Sequence, residues 1–268
     1  MSKILFSPEE IQSIINMYQI EGKTQEEIGK IFNCSKKPIR RILKENNVTT
    51  NIRRTNRRLK HNYFSNINNS SKAYLIGLLF SDGNITYSQN REAMIRLQLL
   101  NEDINLLNFF KTEINSDSII YNNNDGTSSF GIRSNKMAND LSKYNIIPNK
   151  TYNIIQLPHN IPQEYYLDFL RGLIDGDGSL YFTSNDNSFH LSFTSHYIEL
   201  VQDYINIISE ILNLNLSKRQ PTFYNNTAKF TLNGKEAYKL AELLYKNANI
   251  YCQRKYNKYL LAKQKFLI

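Results

Sequence analysis

Two stretches of this chain are variants of one another. YLIGLLFSDGNITY, residues 74–87, aligns with FLRGLIDGDGSLYF, residues 169–182. Gly77 matches Gly172, Asp82 matches Asp177 and Gly83 matches Gly178, at a constant interval of 95 residues. Each stretch is an apolar, helix-like run that stops at Asp-Gly and continues at once as a strand-like run. A repeat of this size is a duplicated subdomain rather than a solenoid unit.

The flanks repeat as well. Each motif is followed by a strand pair (NITY and AMIRLQLL; SLYF and FHLSFTS), a helix (NEDINLLNFFKTEI; HYIELVQDYINIISEIL), a second hairpin (SIIYNNNDGTSSFGIRS; LSKRQPTFYNNTAKFTLNG) and another helix (NKMANDLSKYN; GKEAYKLAELLYKNA). The expected fold class is therefore α+β, a pseudo-symmetric tandem αββαββα. The first subdomain covers 71–160 and the second 161–268.

The motif residues carry their own argument. Glycine inside a helix is unfavourable by about 0.5–1 kcal/mol relative to alanine. Its repetition at Gly77 and Gly172 suggests that the two motif helices pack backbone against backbone. Gly83 and Gly178 are expected in the left-handed conformation that ends many helices. Asp82 and Asp177 would then stand side by side at two helix C-termini, where partial negative charge already resides. Two carboxylates so placed repel each other unless a cation intervenes. A hard divalent ion such as Mg²⁺, with its preference for carboxylate, carbonyl and water oxygens, is the expected compensation.

The N-terminal segment is different in character. SPEEIQSIINMYQI begins with Ser7, Pro8 and Glu10, and TQEEIGKIF with Thr24 and Glu27, so each opens on a capping box. SKKPIRRILKEN supplies a third helix with apolar Ile39, Ile42 and Leu43, after a short turn. Three short helices with such a turn predict a small all-α helix-turn-helix domain over 1–46. Its third helix would present Lys36, Lys37, Arg40 and Arg41 to a DNA groove. The chain has 33 Lys/Arg against 24 Asp/Glu, a formal charge of +9. Ten of those basic residues and a single acid, Glu45, lie between Lys36 and His61, so the remainder is neutral. Residues 47–70 read as a basic linker, with Arg53, Arg54, Arg57 and Arg58 placed to follow a phosphate backbone.

Other classes are disfavoured. Only two cysteines occur, Cys34 and Cys252, without metal-ligand spacing, which fits a reducing compartment. The apolar run Ala73–Phe80 is far too short to span a bilayer, and no signal peptide is visible. A cytoplasmic (bacterial or phage host) or organellar location is expected, not secretion and not a membrane.

The strands add an independent indication. Ile95, Leu97 and Leu99 alternate with Met94, Arg96 and Gln98, and Leu191 and Phe193 alternate with His190, Ser192 and Thr194. One face suits a core, and the polar face suits base edges and phosphates. Arg133, Arg219 and Lys229 complete the expected DNA contacts.

LRGLIDGDG and the looser LIGLLFSDG, in their duplicated setting, resemble the motif of single-chain, two-motif LAGLIDADG homing endonucleases. NIIPNKTYNI and YCQRKYNKYL resemble that family's connecting and closing segments. The resemblance covers about residues 70–268. It departs from the pattern at Phe80, which stands where the first acid is usual. The resemblance implies a monomer whose two sheets lie along double-stranded DNA, with hydrolysis of both strands at a long target dependent on Mg²⁺ or Mn²⁺. It implies metal ligation by Asp82 and Asp177, helped by the carbonyls of Ser81 and Gly176. It also implies a basic residue near each scissile phosphate, matched here to Lys136 and Lys235, and a water network held by Asn101 and Ser195. A non-catalytic DNA-binding regulator and an RNA-splicing maturase acting on intron RNA remain alternatives on the same scaffold.

Overall fold

The computed structural model describes residues 6–19, 23–48, 58–149, 156–185, 187–216 and 219–266. The N-terminal body consists of α1 (Pro8–Gln19), α2 (Gln25–Ile31) and α3 (Lys36–Glu45). Both capping boxes form. Ser7 N donates to Glu10 Oε2 at 2.8 Å and Glu10 N to Ser7 Oγ at 3.2 Å, while Thr24 N donates to Glu27 Oε2 at 2.7 Å. Ile14, Tyr18, Ile28, Ile39, Ile42, Leu43 and Val48 form a small core of their own.

Each half of the larger body has the expected order. The first runs α4 (Ser70–Asp82), β1 (Gly83–Ser88), β2 (Arg91–Leu100), α5 (Ile104–Glu113), β3 (Ile120–Asn122), β4 (Thr127–Arg133) and α6 (Asn135–Ser142). The second runs α7 (Tyr166–Asp177), β5 (Gly178–Phe182), β6 (Phe189–Ser195), α8 (Ile198–Leu212), β7 (Thr222–Tyr224), β8 (Thr227–Asn233) and α9 (Gly234–Tyr245). A further helix, α10 (Gln253–Phe266), closes the chain and has no counterpart in the expected repeat. The sheets are antiparallel with matching orders, β1-β2-β4-β3 and β5-β6-β8-β7. The registers also match: Gly83 faces Leu97, and Gly178 faces Phe193.

The halves join through α4 and α7. A Cβ on Gly77 would lie 2.1 Å from the carbonyl oxygen of Phe169, and one on Gly172 would lie 2.0 Å from that of Tyr74. Each helix thus buries its glycine against the other's backbone, as the paired glycines imply. The motif-ending glycines differ from expectation. Gly83 (φ −76°, ψ 150°) and Gly178 (φ −86°, ψ 166°) are extended, not left-handed. Their constraint is close approach: a Cβ on Gly83 would sit 2.4 Å from Leu79 O, and one on Gly178 2.6 Å from Ile174 O. The strand starts so tightly under the last helical turn that no side chain fits.

The left-handed positions fall to asparagine instead. Among the described residues every non-glycine with positive φ is Asn. Asn33, Asn47, Asn115, Asn145 and Asn213 lie at or just beyond the ends of α2, α3, α5, α6 and α8, and Asn225-Asn226 make the two-residue β7–β8 turn. Asparagine tolerates this conformation better than other residues with a side chain. The high Asn content therefore has a structural use.

The linker expectation for 47–70 needs correction. Residues 58–69 belong to the larger body, where Leu59, Tyr63, Phe64 and Ile67 are buried in its core. Polar ties accompany them. Lys60 N donates to Ile114 O at 2.8 Å, His61 Nδ1 lies 2.8 Å from Ser134 Oγ, and Tyr63 OH donates to Glu113. Four apolar side chains at irregular spacing carry no helix or strand period, so the pattern hid their burial. Arg53, Arg54 and Arg57 lie outside the described residues.

Phe64→Ala should destabilise the protein by about 3–5 kcal/mol in urea denaturation, as for a buried aromatic. A loss under about 1 kcal/mol would show that this segment is not docked. Gly172→Ala should lower stability by roughly 3 kcal/mol or more, since overpacking meets backbone that cannot rotate away. Wild-type stability of that variant would contradict the helix contact.

Candidate active site and nucleic-acid interface

Close packing of α4 and α7 brings their C-terminal ends together. A Cβ on Gly176 would fall 1.8 Å from Ser81 Oγ and 2.6 Å from Asp82 Oδ2. The backbone just before Asp177 therefore touches the Asp82 side chain, and the two acids flank one small volume. Asp82 is half-buried and Asp177 exposed. Ser81 Oγ donates back to Leu78 O at 3.0 Å and lies 3.4 Å from Asp82 Oδ2.

The other acid of the second motif has a separate role. Asp175 is buried and accepts from Tyr74 OH at 2.8 Å, Tyr245 OH at 2.6 Å and Cys252 N at 2.7 Å. Burial lifts its carboxyl above the ordinary range, against these donors and the Lys255 charge. Phe80 takes the corresponding place in α4, buried edge-on against Phe169. The two motifs thus differ where one ties down the closing helix and the other fills core.

A basic residue at the paired helix ends was missed by sequence reasoning. Lys255, in the first turn of α10, is buried, and its Nζ donates to the carbonyls of Ile174 (2.7 Å), Asp175 (2.6 Å) and Gly176 (3.1 Å). Burial lowers its pKa, while the charges of Asp175, Cys252 and Asp82 oppose that shift. A cation in a helix's first turn is unfavourable for that helix; here it neutralises the C-terminal end of α7. Cys252 and Arg254 extend the link to the first half. Cys252 Sγ donates to Asp103 Oδ1 at 3.2 Å, and Arg254 Nη2 to Asp103 Oδ2 at 2.5 Å. The start of α10 so bridges α7 to the 3-10 turn Asn101–Asp103 that follows β2. The signal was present in YCQRKYNKYL, whose basic residues open a helix with no acid in its first turn.

Lys136 and Lys235 are placed elsewhere. Gly83, Leu97 and Phe130 lie level with the end of α4, as Gly178, Phe193 and Phe230 lie level with the end of α7. Both lysines follow the opposite ends of β4 and β8, roughly 10 Å or more along the strands. Lys136 Nζ is bound by Ser65 Oγ at 2.7 Å and by Asp140, a buried carboxylate that also holds Lys143 at 2.9 Å. Lys235 is exposed in the first turn of α9. Neither lies at the end of its sheet nearest the aspartates. Asn101 and Ser195 do, just beyond Leu100 and at the end of β6 respectively. Asn101 Oδ1 accepts from Ser128 Oγ at 2.7 Å, and Ser195 Oγ from Tyr197 N at 3.3 Å.

The donor set at the helix ends is oxygen only. Among the described residues no cluster of three or more His, Cys, Asp or Glu side chains could hold a metal. Two carboxylates with adjacent carbonyls do suit Mg²⁺ or Mn²⁺, which commonly complete their shells with water and substrate phosphate. The Gly176 carbonyl already accepts from Lys255, and a carbonyl has a second lone pair to offer.

On the first sheet Arg96 and Gln98 are exposed on the face away from the core, and Arg133 is half-buried, its Nη1 donating to Glu92 O at 2.9 Å. Met94, Arg96, Ile119, Tyr121 and Arg133 line an open groove there. On the second sheet His190 stacks on Tyr181, with centroids 5.0 Å apart, and Lys229 Nζ lies over the same ring. Thr194 is half-buried beside them. One expected contact is corrected: Ser192 is buried. Arg219 is exposed and pairs with Glu236, with Nη2–Oε1 at 2.8 Å. Both faces also carry residues not expected from sequence, among them Tyr121 and Tyr181. On α3, Lys36, Lys37 and Arg40 are exposed, Lys36 pairing with Glu26 at 2.7 Å, while Arg41 is half-buried and Arg58 is exposed.

Paired motif helices between two matched four-stranded sheets define the class of fold. It is that of two-motif LAGLIDADG endonucleases. A variant of I-SmaMI is similar over 75% of this chain and 92% of its own, at 14% identity and a TM-score of 0.54. Meganuclease I-SmaMI bound to uncleaveable DNA is similar over 73% and 90%, at 15% identity and 0.51. The LAGLIDADG homing endonuclease I-GzeII in complex with its DNA target is similar over 74% and 91%, at 13% identity and 0.50. Residues 8–45 match the family described as Sigma-70, region 4. No curated protein matches the sequence.

Lys255→Met should cost about 1.5–3 kcal/mol of stability in urea denaturation, because three α7 carbonyls lose a charged donor. An unchanged midpoint would show that the clasp is not made.

Proposed function

We propose that this chain is a site-specific endonuclease that hydrolyses both strands of a long double-stranded DNA target with a divalent metal. The observation that carries this reading is the delivery of Asp82 and Asp177 to one small volume by two helices in backbone contact, between two sheets with polar outer faces. Asp82 and Asp177, with the carbonyls of Ser81 and Gly176, would hold Mg²⁺ or Mn²⁺, which supplies an activated water and a stabilised leaving oxygen. Lys255 offsets negative charge at the α7 end and would favour the approach of phosphate. Asn101 and Ser195 would order water at the ends of their strands. Arg96, Gln98, Arg133, His190, Thr194 and Lys229 would contact the duplex, and Lys37 and Arg40 of α3 would add a second point of attachment. The likeness of the larger body to nucleases solved with DNA supports this reading, as does the match of residues 8–45.

The chain would act as a monomer in the cytoplasm or an organelle. Among the described residues no helix is long and apolar enough to cross a membrane.

Selection of cleaved sites from a random duplex library with Mg²⁺ tests the activity. On a selected site, Asp82→Asn and Asp177→Asn should each abolish double-strand cleavage while duplex binding persists, since every basic contact remains. Normal cutting by either variant would remove the metal-ligand role. Binding without any cutting by the wild type would favour a regulator. Light scattering of the DNA complex should give one protein chain per duplex; a stable homodimer would contradict the internal pairing of the motifs.

A further inference from the structure

We infer that α1–α3 bind DNA on one flank only, just outside the half-site covered by the first sheet and within about one and a half helical turns of its outer edge. This rests on the nuclease reading above and adds a side and a distance to it. The point where the N-terminal segment joins the larger body decides both.

That point is the far end of α5. Lys60 N donates to Ile114 O at 2.8 Å, Lys60 Nζ to Glu113 O at 3.1 Å, and Asn115 Nδ2 to Arg58 O at 3.1 Å. α5 begins beside Asp103, at the end of β2 nearest Asp82, and its ten residues carry the chain about 15 Å away. The residues that follow confirm the direction. Asp117, Ser118 and Ile119 line the groove with Met94 and Arg133. Met94 pairs with Arg133 three positions beyond the Leu97–Phe130 pair that lies level with the end of α4. The chain therefore enters the body at the outer end of the first sheet, away from the paired helices.

Covalent length sets the reach. Nine residues, 49–57, separate Val48 from Arg58. Ten Cα steps of at most about 3.6 Å span roughly 36 Å. The ten residues of α3, which precede Val48, add up to about 15 Å, so at about 3.4 Å per base pair the reach is some fifteen base pairs. The second sheet lies beyond α4 and α7, so its outer flank is out of range. On the other side of these nine residues α3 buries Ile39, Ile42 and Leu43 and exposes Lys37 and Arg40, the arrangement of a helix that enters a groove by its N-terminal half.

The test is hydroxyl-radical footprinting of the full chain on a selected target, with EDTA to prevent cutting. Arg96→Ala identifies the half-site under the first sheet, because base preference relaxes there. Protection should extend past that half-site's outer edge by up to about fifteen base pairs, and not past the other edge. The double variant Lys37→Glu/Arg40→Glu changes only exposed side chains. It should lose the flanking protection, keep the central footprint and bind about tenfold or more weakly. Protection beyond the second-sheet half-site, protection on both flanks, or a central footprint with no flanking protection would each overturn the inference and leave the nuclease reading standing. Failure of the full chain to protect or cut any duplex would overturn that reading and this inference together.

Discussion

Everything else in the larger body depends on the backbone contact between α4 and α7. Helices normally meet through side chains at 8–10 Å between axes. Here Gly77 and Gly172 remove the side chain from both partners at the point of contact, so each carbonyl ridge enters the other helix. The contact sets the spacing of the two sheets, which begin immediately at Gly83 and Gly178. It also sets the spacing of the two acids, which are the last residues of the two helices. One steric condition thus fixes the scaffold and the site together.

That arrangement is electrostatically unfavourable by itself. Two helix C-termini and two carboxylates share one small volume. Part of the compensation lies within the chain, in the Lys255 ammonium against the last carbonyls of α7. Lys255 is held there because Asp175, with Tyr74, Tyr245 and Cys252 N around it, anchors the start of α10. Arg171 adds a second anchor, its Nε and Nη1 donating to Ile250 O and Leu244 O at 2.9 and 3.1 Å. The remaining negative charge faces outward, with Asp177 exposed and Asp82 half-buried.

The duplicated halves have diverged in chemistry more than in topology. Strand order and register repeat, because both are set by alternation of apolar residues and by the glycine at the first strand position. Phe80 and Asp175 occupy the same motif position as packing in one half and polar anchor in the other. Ser81 and Gly176 likewise differ, and Gly176 is the one that must be small, because Ser81 fills the space beside it. The outer faces differ too, with arginines, Met94 and Tyr121 on one sheet and a Tyr181–His190 stack with Lys229 on the other. The two outer faces are therefore chemically unlike.

The sequence alone determined the repeat, the element order, the α+β class, the three N-terminal helices with their caps, and the meeting of the two motif helices through glycine. These are periodic or local features, and period and capping chemistry are read within a few residues. The alternation in β2 likewise separated core from outer face, and that in β6 did so except at Ser192, which is buried. Tertiary structure alone decided the rest. Lys255 reaches the helix ends from a segment nearly eighty residues away in the chain, and no local pattern reports a contact of that range. Lys136 and Lys235 sit at matching sequence positions, and strand direction carries them to the end of each sheet away from Asp82 and Asp177. Leu59, Tyr63, Phe64 and Ile67 look like linker because their burial in the core follows no helical or strand period. The extended Gly83 and Gly178 show the same limit: sequence marks where a glycine is needed, while only packing reveals that the need is space and not a left-handed turn.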